Sequence, residues 1–542
     1  MAARYSGAWM MHGQSLNSLK EAVRLAPNCL EYRFRLALAL RKAGGTLAES
    51  VPAFRQALQL DPDDAVAWCG LGEAELGLGR PEEAEVAFRQ GLRLAPSDMI
   101  LMRWLGHALK QQGRFAEAQS WYARSFASTE KSRPAMVSGG SGRRRVVFVA
   151  QNGHSWPCMA SVHSAFAADP GWETVVVALP WEHPSFEASS RTEDKNRIFA
   201  FLKEEGIRHV RWEDFSLQKN SADLVFLQNP YDSTRPAGWK VPELVRRGHR
   251  LCYVPYAIEF GGNHEDVLYQ FNMPLQQYAW AVFARSQAHR DLFTEHCRAG
   301  SRHVMVSGHP KFDRLCLDVE VAPDPGLVAF AAGRPLILWN PHFDVRLNGT
   351  RFGDGYSTFL RWRDFLPAEF ARRPDLAFVI RPHPNFFAAL EQRGIMTRTE
   401  LDEFCRRCAE AGNIRVDISS SYYPVLAAAD AMISDGSSLL IEFGITGKPV
   451  CYSHNPNGPV AHLDYELDLD YIRQYQSWAT SEGHFRTFLD RVAAGEDSGR
   501  EVRIAELRRR MGVRAGGVGP AIKQMLEERL AAEIAPAVQA AV

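Results

Sequence analysis

Three short polar segments, each following an apolar run, hold residue types that can bind and activate an anion. The first is ISDGSSLLIEFGITGKP, residues 433–449, where the apolar run ends at Asp435, Gly436 sits in a turn, and Ser437 and Ser438 open an apolar helix that contains Glu442. Amides exposed at a first helical turn, two hydroxyls and the helix dipole suit a phosphate without the lysine of a P-loop. Serines in this position also serve simply as helix caps. The second segment is IRPHPN, which delivers Arg381 and His383 to a loop stiffened by Pro382 and Pro384. An arginine fork binds phosphate oxygens, and a histidine can donate to them or protonate a leaving phosphate. A lone loop histidine is more often a surface residue than a catalyst. The third is SGHPKFDRL, residues 307–315. There His309 and Lys311 can hold a diphosphate and Asp313 can orient them, although the same residues suit the start of any helix.

The elements that must position these groups are strands buried on both faces. VVFVAQ, TVVVAL, LVFLQNPYD, LCYVPYAI and VMVSGHP form one series of short β-rich runs, and LILWNPH, FVIRPHP, IRVDIS, AMISD and PVCYSH form a second. Each run is separated from the next by enough chain for a helix. The pattern predicts two doubly wound α/β halves, in which ligands sit beyond the carboxyl ends of the strands. All three polar segments lie at such ends.

The N-terminal part has a different grammar. Trp68, Leu71, Gly72, Ala84 and Phe88 recur 34 residues on as Met102, Leu105, Gly106, Ala118 and Tyr122, Pro96 closes the first of these copies, and an earlier copy ends in Phe54, Ala57 and Pro62. Pro27, Pro62 and Pro96 punctuate the helix ends. These are the marks of tetratricopeptide repeats, in which small residues let paired helices approach and large ones fill the neighbouring groove. Such a stack buries its own core and offers a concave face to a protein partner, or serves as a spacer or dimerisation arm. From Ser128 to Arg145 the Ser/Gly-rich STEKSRPAMVSGGSGRRR predicts a flexible tether, with Arg143–Arg145 either solvated or touching phosphate or lipid.

Composition narrows the classes. The 542 residues suffice for about three globular units, and 63 Lys plus Arg balance 63 Asp plus Glu, so no bulk charge points to nucleic acid. Nine cysteines are scattered, and the pair Cys405 and Cys408 has no second pair at zinc spacing, which fits a reducing compartment. The N-terminus builds no secretory core, and apolar runs such as Leu336–Trp339 fall far short of the roughly 20 residues that span a bilayer, so the expected place is the cytoplasm, with any membrane contact peripheral at its inner face.

With the three motifs in order, residues 145–490 resemble the CDP-glycerol glycerophosphotransferase family, which includes teichoic-acid polymerases and capsule enzymes of the GT-B fold. RPHP matches closely, ISDGSS corresponds to a family motif usually written ISDYSS, and a G-x-P-[RK]-x-D element corresponds to Gly308, Pro310, Lys311 and Asp313. Two departures stand out. Polymerase members carry an HGTP-type motif with a histidine base, whereas this chain reads VPYAIEFGGNHED from Val254 to Asp266, leaving Glu259 or His264 as replacements. A segment resembling APTWR is here WNPHFD, with His342 and Asp344.

The repeats and the Ser/Gly-rich stretch give a tetratricopeptide solenoid (1–127) and the tether (128–145), and the resemblance implies an acceptor-side α/β half (146–315) and a nucleotide-donor half (316–490), followed by C-terminal helices (491–542). It implies transfer of a polyol phosphate, glycerol phosphate or similar, from a CDP-linked donor to a hydroxyl of a cell-surface glycan or polyol-phosphate acceptor, with release of CMP. The implied catalytic residues are His383, Arg381 and Glu259. The implied donor-binding residues are His309, Lys311, Asp313, His342, Asp435, Ser437, Ser438 and Glu442. No carboxylate cluster with magnesium spacing is visible, so no resident metal is expected, and a Mg²⁺ travelling with the donor diphosphate stays open. Two rival readings are a GT-B glycosyltransferase or epimerase using a UDP-sugar, and a non-catalytic repeat protein with a degenerate transferase domain.

Overall fold

The computed structural model describes residues 16–25, 36, 47–114, parts of 117–125, 143–181, 197–316, 321–345 and 355–539, apart from 259, 260, 263, 384, 420, 421, 459, 461, 462 and 464. Contacts divide the chain into two units, Met1–Pro134 with Phe293–Arg302, and Ala135–Leu292 with His303–Val542.

In the first unit the repeat signature becomes helices α1 (Leu16–Leu25), α2 (Leu47–Leu60), α3 (Ala65–Gly77), α4 (Pro81–Leu94) and α5 (Met99–Gln111). Two residues after Pro62 and Pro96, Asp64 and Asp98 cap α3 and α5, each accepting two backbone N–H groups. The small repeat positions matter because a Cβ on Gly72 would sit 2.4 Å from the Phe88 ring, and one on Gly70 would sit 2.4 Å from Phe54. Both rings are fully buried. This is a stack of tetratricopeptide helical hairpins.

The second unit holds two parallel sheets. The first orders β3 (Val210–Arg211), β2 (Trp172–Ala178), β1 (Arg144–Ala150), β4 (Leu224–Leu227), β5 (Leu251–Tyr253), β7 (Ala281–Ala284) and β8 (Val304–Val306). The second orders β11 (Ile414–Val416), β10 (Ala377–Ile380), β9 (Leu336–Asn340), β12 (Ala431–Ser434), β13 (Val450–Ser453) and β15 (Ser477–Ala479). A short antiparallel pair, β6 (Gly261–Gly262) with β14 (Tyr465–Glu466), links the halves. The two expected series of runs all become strands. The apolar pattern missed β3, β7 and β15, and β3 is only two residues long.

The tether expected at 128–145 lies outside the described residues up to 142, and its end is already strand. Arg145 pairs with Glu173 at 2.9 Å, its backbone N–H donates to Asp223 at 2.8 Å, and Arg143 donates to the Trp172 carbonyl at 2.6 Å. The arginine run therefore begins β1 and borders β2.

The chain crosses between the halves twice. The first crossing follows β8 through Ser307–Asp313, and the second follows α7 (Glu482–Ala493) and runs from α8 (Arg500–Arg510) into α9 (Val518–Gln539). α9 returns to the first half and packs on α6 (Pro157–Ala167), burying Val518, Ile522 and Leu526 in the same core as Val162 and Phe166. Two facing doubly wound sheets with a C-terminal helix returning to the first half make a GT-B-like arrangement. Where the crossings meet, the His309 N–H donates to the Met511 carbonyl at 3.0 Å, and Asp313 accepts the N–H groups of Val518 and Gly519 at 2.9 Å.

Gly308 permits this approach. Its φ is +89°, and a Cβ there would lie 2.2 Å from the Gly512 carbonyl oxygen. Gly308→Ala should therefore lower unfolding free energy by roughly 2–4 kcal/mol, the sum of backbone strain and overpacking. Gly333→Ala, at φ +83° with nothing within 4 Å, should lose only the conformational part, about 1 kcal/mol. Urea denaturation of both variants checks the difference; equal losses would show that the crossings do not meet as described.

Candidate functional site

Each sheet reverses its winding direction once. In the first sheet β2 and β4 flank β1, and in the second β10 and β12 flank β9. Loops beyond the carboxyl ends of strands at such switch points part to leave a crevice. Gln151–His154 follows β1, Gln228–Tyr231 follows β4, His342 follows β9, Arg381 and His383 follow β10, and Asp435 follows β12. The predicted donor residues of the second half thus share one switch point.

His342 and His383 stand side by side, with ring centroids 5.7 Å apart and Phe343 against both. The Asp344 N–H donates to His342 Nδ1 at 3.1 Å, and the Asn385 N–H donates to His383 Nδ1 at 3.2 Å. A neutral imidazole accepting at Nδ1 carries its proton on Nε2. Both rings are thereby set as Nε2–H donors. Burial, then the neighbouring His342 and His154, hold the His383 pKa well below its ordinary value.

His154 comes from the opposite half. Its position is set by a buried amide network: the Gln151 and Asn152 N–H groups donate to Gln228 Oε1 at 2.7 and 2.9 Å, and Asn229 donates to Gln151 Oε1 at 2.8 Å. The ring is open to solvent in the crevice, yet crowding by its walls, then Arg381, Lys311 and Arg197, pull its pKa down to about 4. Sequence reasoning passed over His154. The signal was available in VVFVAQNGHSW, a buried strand followed at once by polar residues.

Several expected donor ligands are committed elsewhere. Lys311 donates to Glu442 at 2.6 Å with both side chains buried, and Tyr422 donates to the other Glu442 oxygen at 2.7 Å. Ser438 reaches the same carboxylate at 3.5 Å, and Ser437 caps its helix by accepting the Leu439 N–H at 3.3 Å. His309 donates from Nε2 to the Pro255 carbonyl at 2.8 Å, and Asp313 caps α9. Arg381 is buried, paired with Asp417 and donating to Ser419 Oγ at 3.0 Å and to the Ser419 carbonyl at 2.9 Å. Its fork holds the loop after β11 and does not point freely at a ligand. Glu259 lies outside the described residues, and of His264 only the backbone is described.

Asp435 acts as a buried anchor. It accepts the His342 N–H at 2.8 Å and the Thr358 N–H at 2.9 Å, while burial pushes its pKa up to about 7. Gly436, where the resembling family usually has tyrosine, faces the ring of Tyr356, which a Cβ would meet at 2.5 Å. Tyr356 in turn donates to Asp266 of the first half at 2.8 Å. An aromatic ring therefore occupies this spot, supplied from another part of the chain. Among the described residues no group of three His, Cys, Asp or Glu side chains is placed to hold a metal ion. No helix among them is long and apolar enough to cross a membrane.

The tetratricopeptide repeat family model matches residues 12–65 and 69–130. No curated protein matches the chain. Among solved structures, an O-GlcNAc transferase mutant from Thermobaculum terrenum is similar at 15% identity and TM-score 0.35, over 97% of this chain and 95% of that one. MnaA of S. aureus with UDP is similar at 13% identity and TM-score 0.46, over 71% of this chain and 97% of that one. A UDP-N-acetylglucosamine 2-epimerase is similar at 12% identity and TM-score 0.46, over 72% of this chain and 95% of that one.

The buried histidines make stability depend on pH. Burial pulls the pKa of His309 down to about 3 and of His163 to about 4, and holds His289 and His383 well below the ordinary value. The unfolded chain then binds more protons below about pH 6.5, so stability is complete above that pH and falls by about 1.4 kcal/mol per pH unit for each such ring below it. Asp435 works the other way: raised to about 7, it favours the folded state at low pH and loses that contribution as pH rises. One carboxyl does not offset four imidazoles. The urea midpoint should drop steadily from pH 7 to pH 5, and a flat or rising midpoint would contradict the buried, neutral rings.

Proposed function

We propose that the unit Ala135–Leu292 with His303–Val542 is a transferase that binds a nucleoside-diphosphate-linked donor in the crevice between its halves, and that the donor is a CDP-linked polyol. The observation that carries this is the pair His342 and His383, with ring centroids 5.7 Å apart at the second half's switch point, while the nearby carboxylates of Glu442, Asp435 and Asp417 are held by other groups. Imidazole donors without a competing free carboxylate favour an anionic ligand. As phosphates arrive, the rings regain basicity and take up protons.

On this reading the acceptor hydroxyl oxygen attacks the polyol-bearing phosphorus, and the bond from that phosphorus to the oxygen of CMP breaks. The Nε2–H groups of His383 and His342 donate to the phosphate oxygens where charge builds, and His383 is placed to pass its proton to departing CMP. His154, on the acceptor side, is held neutral near pH 7 and takes the acceptor proton in this reading, a role for which the sequence also offers Glu259 or His264 where the family's histidine is missing. Lys311, Glu442, Ser438 and Arg381 support the site by holding its loops. Transfer of a sugar from a UDP-sugar would need the same histidines for its diphosphate and is separated by the nucleotide released. The repeats are assigned to a protein partner.

His383→Ala should lower turnover by roughly 10²–10⁴-fold with an unchanged circular dichroism spectrum. Arg381→Ala should instead lower stability, because it leaves Asp417 buried without its partner. Assays with CDP-glycerol and with UDP-N-acetylglucosamine, following CMP and UDP, check the donor. Release of CMP supports the proposal, release of UDP assigns the sugar reading, and no turnover with either supports a non-catalytic repeat protein.

A further inference from the structure

Residues 355–358 are pinned to the second half by the loops that follow three of its strands. After β9, the Asp344 carboxylate accepts the Tyr356 N–H at 3.3 Å, and the Asp344 carbonyl accepts the Ser357 N–H at 3.1 Å. After β12, Asp435 accepts the Thr358 N–H at 2.9 Å, and after β13 the Asn455 side chain donates to the Gly355 carbonyl at 2.8 Å. The Tyr356 ring lies against Gly436 and stands edge-on to His342, with ring centroids 5.4 Å apart. From this base its hydroxyl donates to Asp266 of the first half at 2.8 Å. Burial, then the Asp266 charge, push the phenol pKa up, so the hydroxyl keeps the proton that it donates. Asp266 belongs to the helix His264–Phe271, which touches both halves. Its Tyr269 packs edge-on against Tyr231, in the loop after β4, at 6.3 Å, and its Phe271 packs edge-on against Tyr465 of β14 at 5.3 Å.

We propose that Tyr356 is a positioning residue that couples closure of the crevice to the setting of His342: its hydroxyl latches the helix His264–Phe271 onto the second half, and the same ring holds the donor imidazole in place. The inference rests on the transferase reading above and adds to it a determinant of donor affinity. Two observations carry it. One side chain serves both partners, the ring for His342 and the hydroxyl for Asp266, so neither can shift without the other feeling it. The segment that bears the ring is hydrogen-bonded at each of its four residues, so relative motion of the halves falls on the Asp266 bond and is not absorbed by a slack loop. A nucleotide that contacts both halves binds the closed arrangement best, and its apparent affinity falls as the closed population falls.

Hydrogen exchange and calorimetric titration of the full chain test it. Tyr356→Phe keeps the ring and removes the hydroxyl, Asp266→Ala breaks the bond from the other side, and Asp266→Asn keeps an oxygen that can accept. Amides of residues 268–272 should exchange about tenfold faster in Tyr356→Phe and in Asp266→Ala, no faster again in the double variant, and close to the wild-type rate in Asp266→Asn. With CDP as the probe, or UDP where the wild-type protein prefers it, the first two variants should bind about tenfold more weakly and Asp266→Asn about as tightly as wild type, all with unchanged circular dichroism spectra. Should Tyr356→Phe fail to fold, the contrast between Asp266→Ala and Asp266→Asn decides. Unchanged exchange in the variants that lack the bond, additive effects in the double variant, no rescue by Asp266→Asn, or nucleotide affinity untouched while exchange rises would overturn the coupling. Failure of the transferase reading would look different: the wild-type protein would bind neither CDP nor UDP, and the latch would stand or fall on the exchange pattern alone.

Discussion

The backbone contact between the two crossings is the constraint on which the larger unit depends. Each parallel sheet is complete in itself, so apart from the short β6–β14 pair no strand sets one half against the other. Orientation comes from Gly308 lying against Gly512, the His309 N–H on the Met511 carbonyl, and Asp313 capping α9. These are short-range backbone contacts in a close-packed region, which tolerates little adjustment. Buried ion pairs reinforce them: Lys311 with Glu442, and Arg285 with Asp468 at 2.9 Å. Such pairs add little net stability because desolvation offsets their attraction, but removing one partner leaves a buried charge, so they select one arrangement.

That selection explains why many polar residues in the motif segments touch protein. A loop at a switch point has no helix or sheet to satisfy its backbone, and its N–H groups must find other acceptors. Asp435 supplies both its oxygens to amides of two different loops, and His309 bridges the Pro255 carbonyl and the Lys311 N–H. Among the residues left facing the crevice are imidazoles, whose lowered pKa values keep them neutral near pH 7 and able to donate an N–H to an anion.

The tyrosine-to-glycine difference at position 436 illustrates how a motif survives in space while changing in sequence. The ring of Tyr356 lies where a side chain on residue 436 would go, and its hydroxyl reaches Asp266 across the crevice. A comparison of aligned positions sees a loss there. The folded chain has an aromatic ring in contact with the glycine.

Periodicity by itself determined the repeats and the two series of parallel strands, since buried strands and repeat helices both follow from local spacing of apolar and small residues. Phe54, Phe88 and Gly72 occupy the positions that the 34-residue pattern requires. It also placed His342, His383 and Asp435 at strand ends, which a doubly wound sheet then gathers at one switch point. It did not reveal β3, β7 or β15, and the two residues of β3 become a strand only by pairing with β2. Nor did it separate ligand-facing residues from structural ones: Lys311 and Glu442 lie 131 residues apart, and only folding shows that each is committed to the other. His154 was hidden for the same reason, since its importance lies in what faces it across the crevice, and strand order and the two crossings decide that, not its neighbours in the chain.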